Sequence, residues 1–140
     1  MVGIVIVTHC NLSSAFLEVV KEIAQKIDYC EGVGINPQER GEEKSLQTII
    51  EAIKKVDQGD GVLLLTDMFG GTPTNLCLSL LEEGNIEVLT GINLPIILKL
   101  ATIKERHDIK MLGKMLKEYG QQNICFATEM LEKKPGKKES

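Results

Sequence analysis

Two stretches of this sequence carry side chains able to hand on a charged group. The run Val2–Val7 leads into Thr8-His9-Cys10-Asn11. The run Val62–Leu65 leads into Thr66-Asp67-Met68-Phe69-Gly70-Gly71-Thr72-Pro73-Thr74-Asn75. A carboxylate that accepts a hydrogen bond from one imidazole nitrogen fixes the tautomer and turns the other lone pair outward. A neutral imidazole held this way is a nucleophile toward phosphorus, and the carboxylate stabilises the positive charge that develops on the ring. His9 is therefore the candidate phosphoryl acceptor and Asp67 the group that orients it. Backbone N–H groups around Gly71, Thr72 and Asn75 open a helix and suit a phosphoryl oxygen. The hydroxyls of Thr8, Thr66 and Thr72 are further candidate donors. This chemistry calls for no metal and no cofactor.

The elements that must position these groups follow from the hydrophobic pattern. Val2–Val7 is β-branched almost throughout and reads as a first buried strand. Ala15, Phe16, Val19, Val20, Ile23, Ala24 and Ile27 form one helical stripe, with Asn11 or Ser13 as its cap. Cys30–Ile35 is a weaker strand closed by Asn36-Pro37, and a polar loop runs from Pro37 to Glu43. Ser45–Val56 is an amphipathic helix. Val62–Leu65 is apolar at every position, as suits a central strand covered on both faces. Gly70-Gly71 permits the turn, Thr72 caps the next helix, and Pro73 occupies its first turn. A turn at Glu83-Gly84-Asn85, a strand at Ile86–Leu89 and helices over Pro95–Ala101 and Ile109–Tyr119 follow, the last ended by Gly120. Asn123–Thr128 reads as a late strand.

The alternation predicts an α/β fold, doubly wound, with a mainly parallel sheet of four strands and a C-terminal edge strand. That strand has no place in the alternation, so it is expected to pair antiparallel at an edge or on a neighbouring subunit. Residues 1–130 form one domain, and the Lys-rich residues 131–140 form a mobile tail. In the common doubly wound order the first and third strands are neighbours, about 4.8 Å apart, so His9 and Asp67 come within reach of each other.

Composition narrows the field. The chain has 140 residues and a formal net charge of −4, which argues against broad nucleic-acid binding. There is no Trp to supply a stacking platform. Its apolar runs are too short to span a bilayer, and no stretch has the order of a signal peptide. The four cysteines are scattered and read as buried thiols in a reducing cytoplasm. Cys10 reads as a packed thiol and His107 as a solvated helix residue. A lone histidine after a strand is more often a packing residue, an aspartate there is often a helix cap, and a Gly-Gly pair marks many loops. Only His9 and Asp67 together, on adjacent strand ends, rise above these plainer readings.

Three segments resemble a known family: Val5-Ile6-Val7-Thr8-His9, Leu65 to Asn75, and Thr90-Gly91-Ile92-Asn93-Leu94-Pro95. They are similar to the enzyme IIA domain of the mannose family, from the bacterial phosphoenolpyruvate-dependent sugar phosphotransferase system. The resemblance covers about residues 1–130. It implies that His9 takes a phosphoryl group on Nε2 from phospho-HPr and hands it to an enzyme IIB (EIIB) partner, that Asp67 bonds the other nitrogen, and that Thr72 lies beside the phosphoryl group. It further implies a cytoplasmic homodimer that exchanges its last strand, acts as a phosphotransferase in carbohydrate uptake, and meets a membrane EIIC/EIID permease only indirectly. Some members carry Trp where this chain has Phe69, and some are fused to a IIB domain for which this chain has no room.

Other readings fare less well. A free-standing regulatory IIA remains the sister possibility. The phosphocarrier subunit of the dihydroxyacetone kinase system shares the first strand and histidine but is not expected to carry Gly-Gly-Thr-Pro. A receiver-like domain phosphorylated on Asp67 would need two more acidic residues after the first strand to hold magnesium. A nucleotide-binding module would need a glycine fingerprint there, and none is present.

Overall fold

The computed structural model describes residues 1–36, 38 and 41–132. Its elements run β1 (Gly3–His9), α1 (Leu12–Ile23), β2 (Cys30–Ile35), α2 (Glu42–Val56), β3 (Val62–Thr66), α3 (Thr72–Leu78), β4 (Ile86–Leu89), α4 (Leu94–Thr102), α5 (Ile109–Gln122) and α6 (Ala127–Glu132). The strands form one parallel sheet in the order β2-β1-β3-β4. β1 pairs with β3 from Gly3↔Val62 to Val7↔Thr66, so the two strands end side by side.

Both faces of the sheet are covered, which is why β1 and β3 are apolar at consecutive positions rather than alternate ones. Ile4, Ile6, Leu63 and Leu65 face one layer, where they pack with Val20 of α1, Ile96, Ile97 and Leu100 of α4, and Leu112 and Leu116 of α5. Val5, Val7 and Leu64 face the other, with Ile49, Ala52 and Val56 of α2 and Leu76 and Cys77 of α3. Each such side chain taken out of water contributes roughly 1.5–3 kcal/mol before the entropy of ordering is counted. The chain reverses its winding between β1 and β3, and ligands bind outside the carboxyl ends of strands at such a point.

Several expected boundaries change, each for a physical reason. α1 has no cap from Asn11; instead the β1 residue Thr8 accepts the N–H of Ser13 at 2.8 Å. α2 begins at Glu42, not Ser45, with two acidic residues in the first turn where the helix dipole favours them. Part of the expected Pro37–Glu43 loop lies outside the described residues. α3 starts at Thr72, so Gly71 holds the cap position and Thr72 is not a cap. Gly120 does not end α5 but lies inside it, because there it lets α4 come close: a Cβ would sit 2.5 Å from Cδ1 of Ile96.

The expected strand Asn123–Thr128 does not form in the single chain. Ala127–Glu132 is helical, and none of its residues is buried. With no side chain of the helix buried, the helix-favouring Ala, Glu, Met and Leu side chains decide the local structure. Leu131 and Glu132, assigned to the tail, close this helix, and residues 133–140 lie outside the described residues.

Candidate functional site

His9 is the last residue of β1 and Asp67 the first after β3. Their contact is double. Asp67 Oδ2 accepts from the His9 backbone N–H at 2.9 Å and lies 2.8 Å from Nδ1 of the ring. One carboxylate oxygen thus holds both the main chain and the ring. An ionised carboxylate only accepts hydrogen bonds, so Nδ1 carries a proton, and in the neutral ring Nε2 then keeps its lone pair. The histidine side chain is 42% exposed and the aspartate 12%. Oδ1 of Asp67 is buried and has no hydrogen-bond partner among the described residues.

Gly71 closes on the same ring. A Cβ there would lie 2.7 Å from Cε1 and 3.0 Å from Nε2 of His9. Its backbone is extended (φ −92, ψ 172), so what the position demands is space, not unusual torsion. After His9 the chain turns sharply through Cys10 at φ +47, and Gly34 of β2 makes room for the Cys10 carbonyl.

The other predicted phosphoryl-binding residues divide in two. Thr72 is half-buried at the start of α3, next to Gly71, and the side chain of Asn75 is exposed one turn on. The N–H of Asn75 is already bonded to the Gly71 carbonyl at 3.0 Å. Thr8 and Thr66 are fully buried, with hydroxyls that bond inside the protein, Thr8 to Ser13 and Thr66 to Thr74. The structure therefore does not expose these two hydroxyls beside the partly exposed His9 ring. Strand alternation accounts for this: a threonine on a sheet covered on both faces points into a layer, not out of the strand end.

Other expectations are corrected here. Cys10 and Cys125 are exposed, Cys30 is half-buried and Cys77 is buried, so the thiols are not uniformly packed. His107 is not helical; it precedes α5 and bonds Asp60 through Nδ1 and Glu105 through Nε2, at 2.8 and 2.9 Å. The bond to Asp60 chiefly, then that to Glu105, raises its pKa. Sequence reasoning gave no role to Asn93, which caps α4 at Ile96 and donates to the Gly120 carbonyl, although an Asn two residues before Pro is a recognisable cap. It also missed Thr74, whose buried hydroxyl is legible only from the packing. Beside the site, Met68 and Phe69 are exposed, Phe69 by 73%. Among the described residues no cluster of His, Cys, Asp or Glu is arranged to hold a metal ion. None of their helices is long and apolar enough to cross a membrane.

This geometry coincides with clear similarities. The model of the mannose-type IIA family described as "PTS system fructose IIA component" matches residues 3–133. The chain is 36% identical to the "PTS system fructose-specific EIIA component" of Bacillus subtilis (strain 168) over 95 residues, 64% of this chain and 65% of that protein, a little under two thirds of its length. It is 28% identical to the "PTS system sorbose-specific EIIA component" of Lacticaseibacillus casei over 131 residues, 93% of this chain and 91% of that one. In fold it is similar to the "Mannose/sorbose specific IIA subunit of phosphotransferase system from Enterococcus faecalis", with a TM-score of 0.80 at 19% identity, covering 89% of this chain and 93% of that one. With the family match running from β1 through α6, the chain belongs to the mannose-type enzyme IIA family of the phosphotransferase system.

Proposed function

We propose that the chain is a phosphoryl carrier of the sugar phosphotransferase system, accepting a phosphoryl group from phospho-HPr on His9 and passing it to an EIIB component in carbohydrate uptake. The observation that carries this reading is the 2.8 Å contact of Nδ1 with Asp67 on a partly exposed ring, which leaves Nε2 out of that hydrogen bond. In the forward step Nε2 attacks phosphorus while the bond from phosphorus to the donor breaks. The ring becomes a cation as the N–P bond forms, and Asp67 stabilises that charge. In the second step the EIIB nucleophile attacks the same phosphorus and the electron pair of the N–P bond returns to Nε2. Thr72 and the backbone N–H groups near Gly71 are the groups placed to meet phosphoryl oxygens.

The names of the relatives support this role, and the exposed Met68 and Phe69 beside His9 fit a rim for visiting proteins. Both encounters are transient, in the cytoplasm, with any EIIC/EIID permease reached only through EIIB. A homodimer completes the picture. Ile124, Phe126, Met130 and Leu131 are each more than half exposed, and Ile124 lines a cleft of about 410 Å³ at the open edge of β4. Exchange of this segment onto β4 of a second copy would cover both.

The test is incubation with phosphoenolpyruvate, enzyme I and HPr, followed by mass and acid stability. One acid-labile phosphoryl group is expected on the wild type and none on His9→Ala. A label that survives this substitution overturns the site. Light scattering on Ile124→Asp tests the dimer, which should fall to a monomer.

A further inference from the structure

Behind the His9–Asp67 contact lies a second polar pair that is wholly buried. Thr66 and Thr74 are both 0% exposed, and their hydroxyl oxygens are 2.7 Å apart. The Thr74 hydroxyl also donates to the carbonyl of Met68. A hydroxyl has a single proton. That of Thr74 is committed to Met68, so Thr66 must be the donor within the pair. The bonds run from the Thr66 hydroxyl to Thr74 Oγ1, and from the Thr74 hydroxyl to the Met68 carbonyl.

Residues 66 and 68 are the two chain neighbours of Asp67. One hydroxyl from the first turn of α3 therefore holds the chain on both sides of the aspartate. The Thr66 carbonyl is also held by the Ile92 N–H at 3.1 Å, but the Met68 and Phe69 side chains are exposed, and among the described residues the Asp67 carboxylate is anchored through Oδ2 and not Oδ1. A valine at position 74 would fill the same space as threonine. It could make neither bond, and it would leave the Met68 carbonyl and the Thr66 hydroxyl short of a partner.

We propose that Thr74 is a positioning residue for phosphoryl acceptance: through Thr66 and the Met68 carbonyl it sets the Asp67 carboxylate against Nδ1 of His9 and so keeps Nε2 turned outward. This rests on the reading of His9 as the acceptor. Thr66 belongs to the same device and is not a phosphoryl ligand.

The experiment compares Thr74→Val with Thr74→Ser and Thr66→Val. Three quantities are read: the initial rate of labelling by phospho-HPr, the tautomer ratio of the His9 ring by nitrogen-detected NMR, and the melting temperature. Thr74→Val should slow labelling on the order of tenfold, as displaced catalytic groups do, and should raise the fraction of ring protonated on Nε2. Thr74→Ser should restore both to within about twofold, because it keeps the bonded hydroxyl. Thr66→Val keeps the Thr74–Met68 bond and should fall between the two. If Thr74→Val shows the wild-type rate and tautomer ratio, the proposal is overturned, even with a lowered melting temperature. If Thr74→Val does not fold, unchanged rate and tautomer ratio in Thr66→Val overturn it instead. The tautomer measurement needs no phosphoryl donor, so it judges the positioning separately from a label surviving His9→Ala, which would strike only at the acceptor assignment.

Discussion

Gly71 stands against the imidazole of His9, leaving no room for a methyl group: a Cβ would come within 2.7 Å of Cε1 and 3.0 Å of Nε2. Asp67 fixes one ring nitrogen while Gly71 backs the neighbouring carbon and the other nitrogen. Gly71→Ala should push the ring off its contact with Asp67. The extended backbone at this position accepts alanine, so stability should change by no more than about 1 kcal/mol. Labelling by phospho-HPr should fall at least about tenfold. Unfolding in urea and the labelling rate, measured together, separate the two effects. A variant that is labelled at the normal rate would show that the ring is free to move.

The thiols should sort by depth. Burial pushes Cys30 up to about 12, against an opposing pull from the Arg106 guanidinium, and burial alone pushes Cys77 up to about 12. Cys10 and Cys125 are exposed. Thiolates are the reactive form. In native protein Cys10 should therefore react fast with a disulfide reagent and Cys30 and Cys77 slowly, and denatured protein should titrate all four cysteines. Fast reaction of Cys30 in native protein would contradict its packing.

His107 supplies a pH dependence whose sign is fixed. Its folded pKa is raised, first by Asp60 and then by Glu105. The contribution to stability is therefore complete below the ordinary imidazole value and fades as pH climbs through the raised one. The gap in melting temperature between wild type and His107→Gln should be widest below the ordinary imidazole value and shrink as pH rises above it. Because the groups are exposed, the gap should also shrink in salt. A gap that widens with pH would reverse the assignment.

Gly120 predicts a packing cost. A side chain there meets Ile96 at 2.5 Å from Cδ1 and 2.8 Å from Cγ1. Gly120→Val should destabilise by about 1–3 kcal/mol, the usual cost of overpacking, measured by urea unfolding. Unchanged stability would mean that α4 and α5 can move apart freely.

The sheet was readable because a covered parallel strand writes a continuous apolar run, as Val2–Val7 and Val62–Leu65 do. The strand order then put His9 and Asp67 within reach, and their contact is present. Side-chain direction was not readable. Thr8 and Thr66 carry hydroxyls of the right kind at the right end of the sheet, yet both point inward, and one caps a helix that Asn11 leaves uncapped. Gly120 looked like a stop signal because composition alone cannot tell a helix end from a close approach. The segment from Asn123 has strand-like residues, but local propensity made part of it helical where none of the described strands pairs with it.

Arg106 has a consequence for how the molecule assembles. It is 4% exposed; its Nε donates to the Val2 carbonyl at 2.8 Å and its own carbonyl receives the Val2 N–H, while a second guanidinium nitrogen reaches the Asp28 carbonyl. The root of the sheet's inner strand is thus latched by a residue 104 positions downstream. A nascent chain emerging from the ribosome must leave that strand unsealed until Arg106 has been made, and so distant a closure favours slow folding over fast.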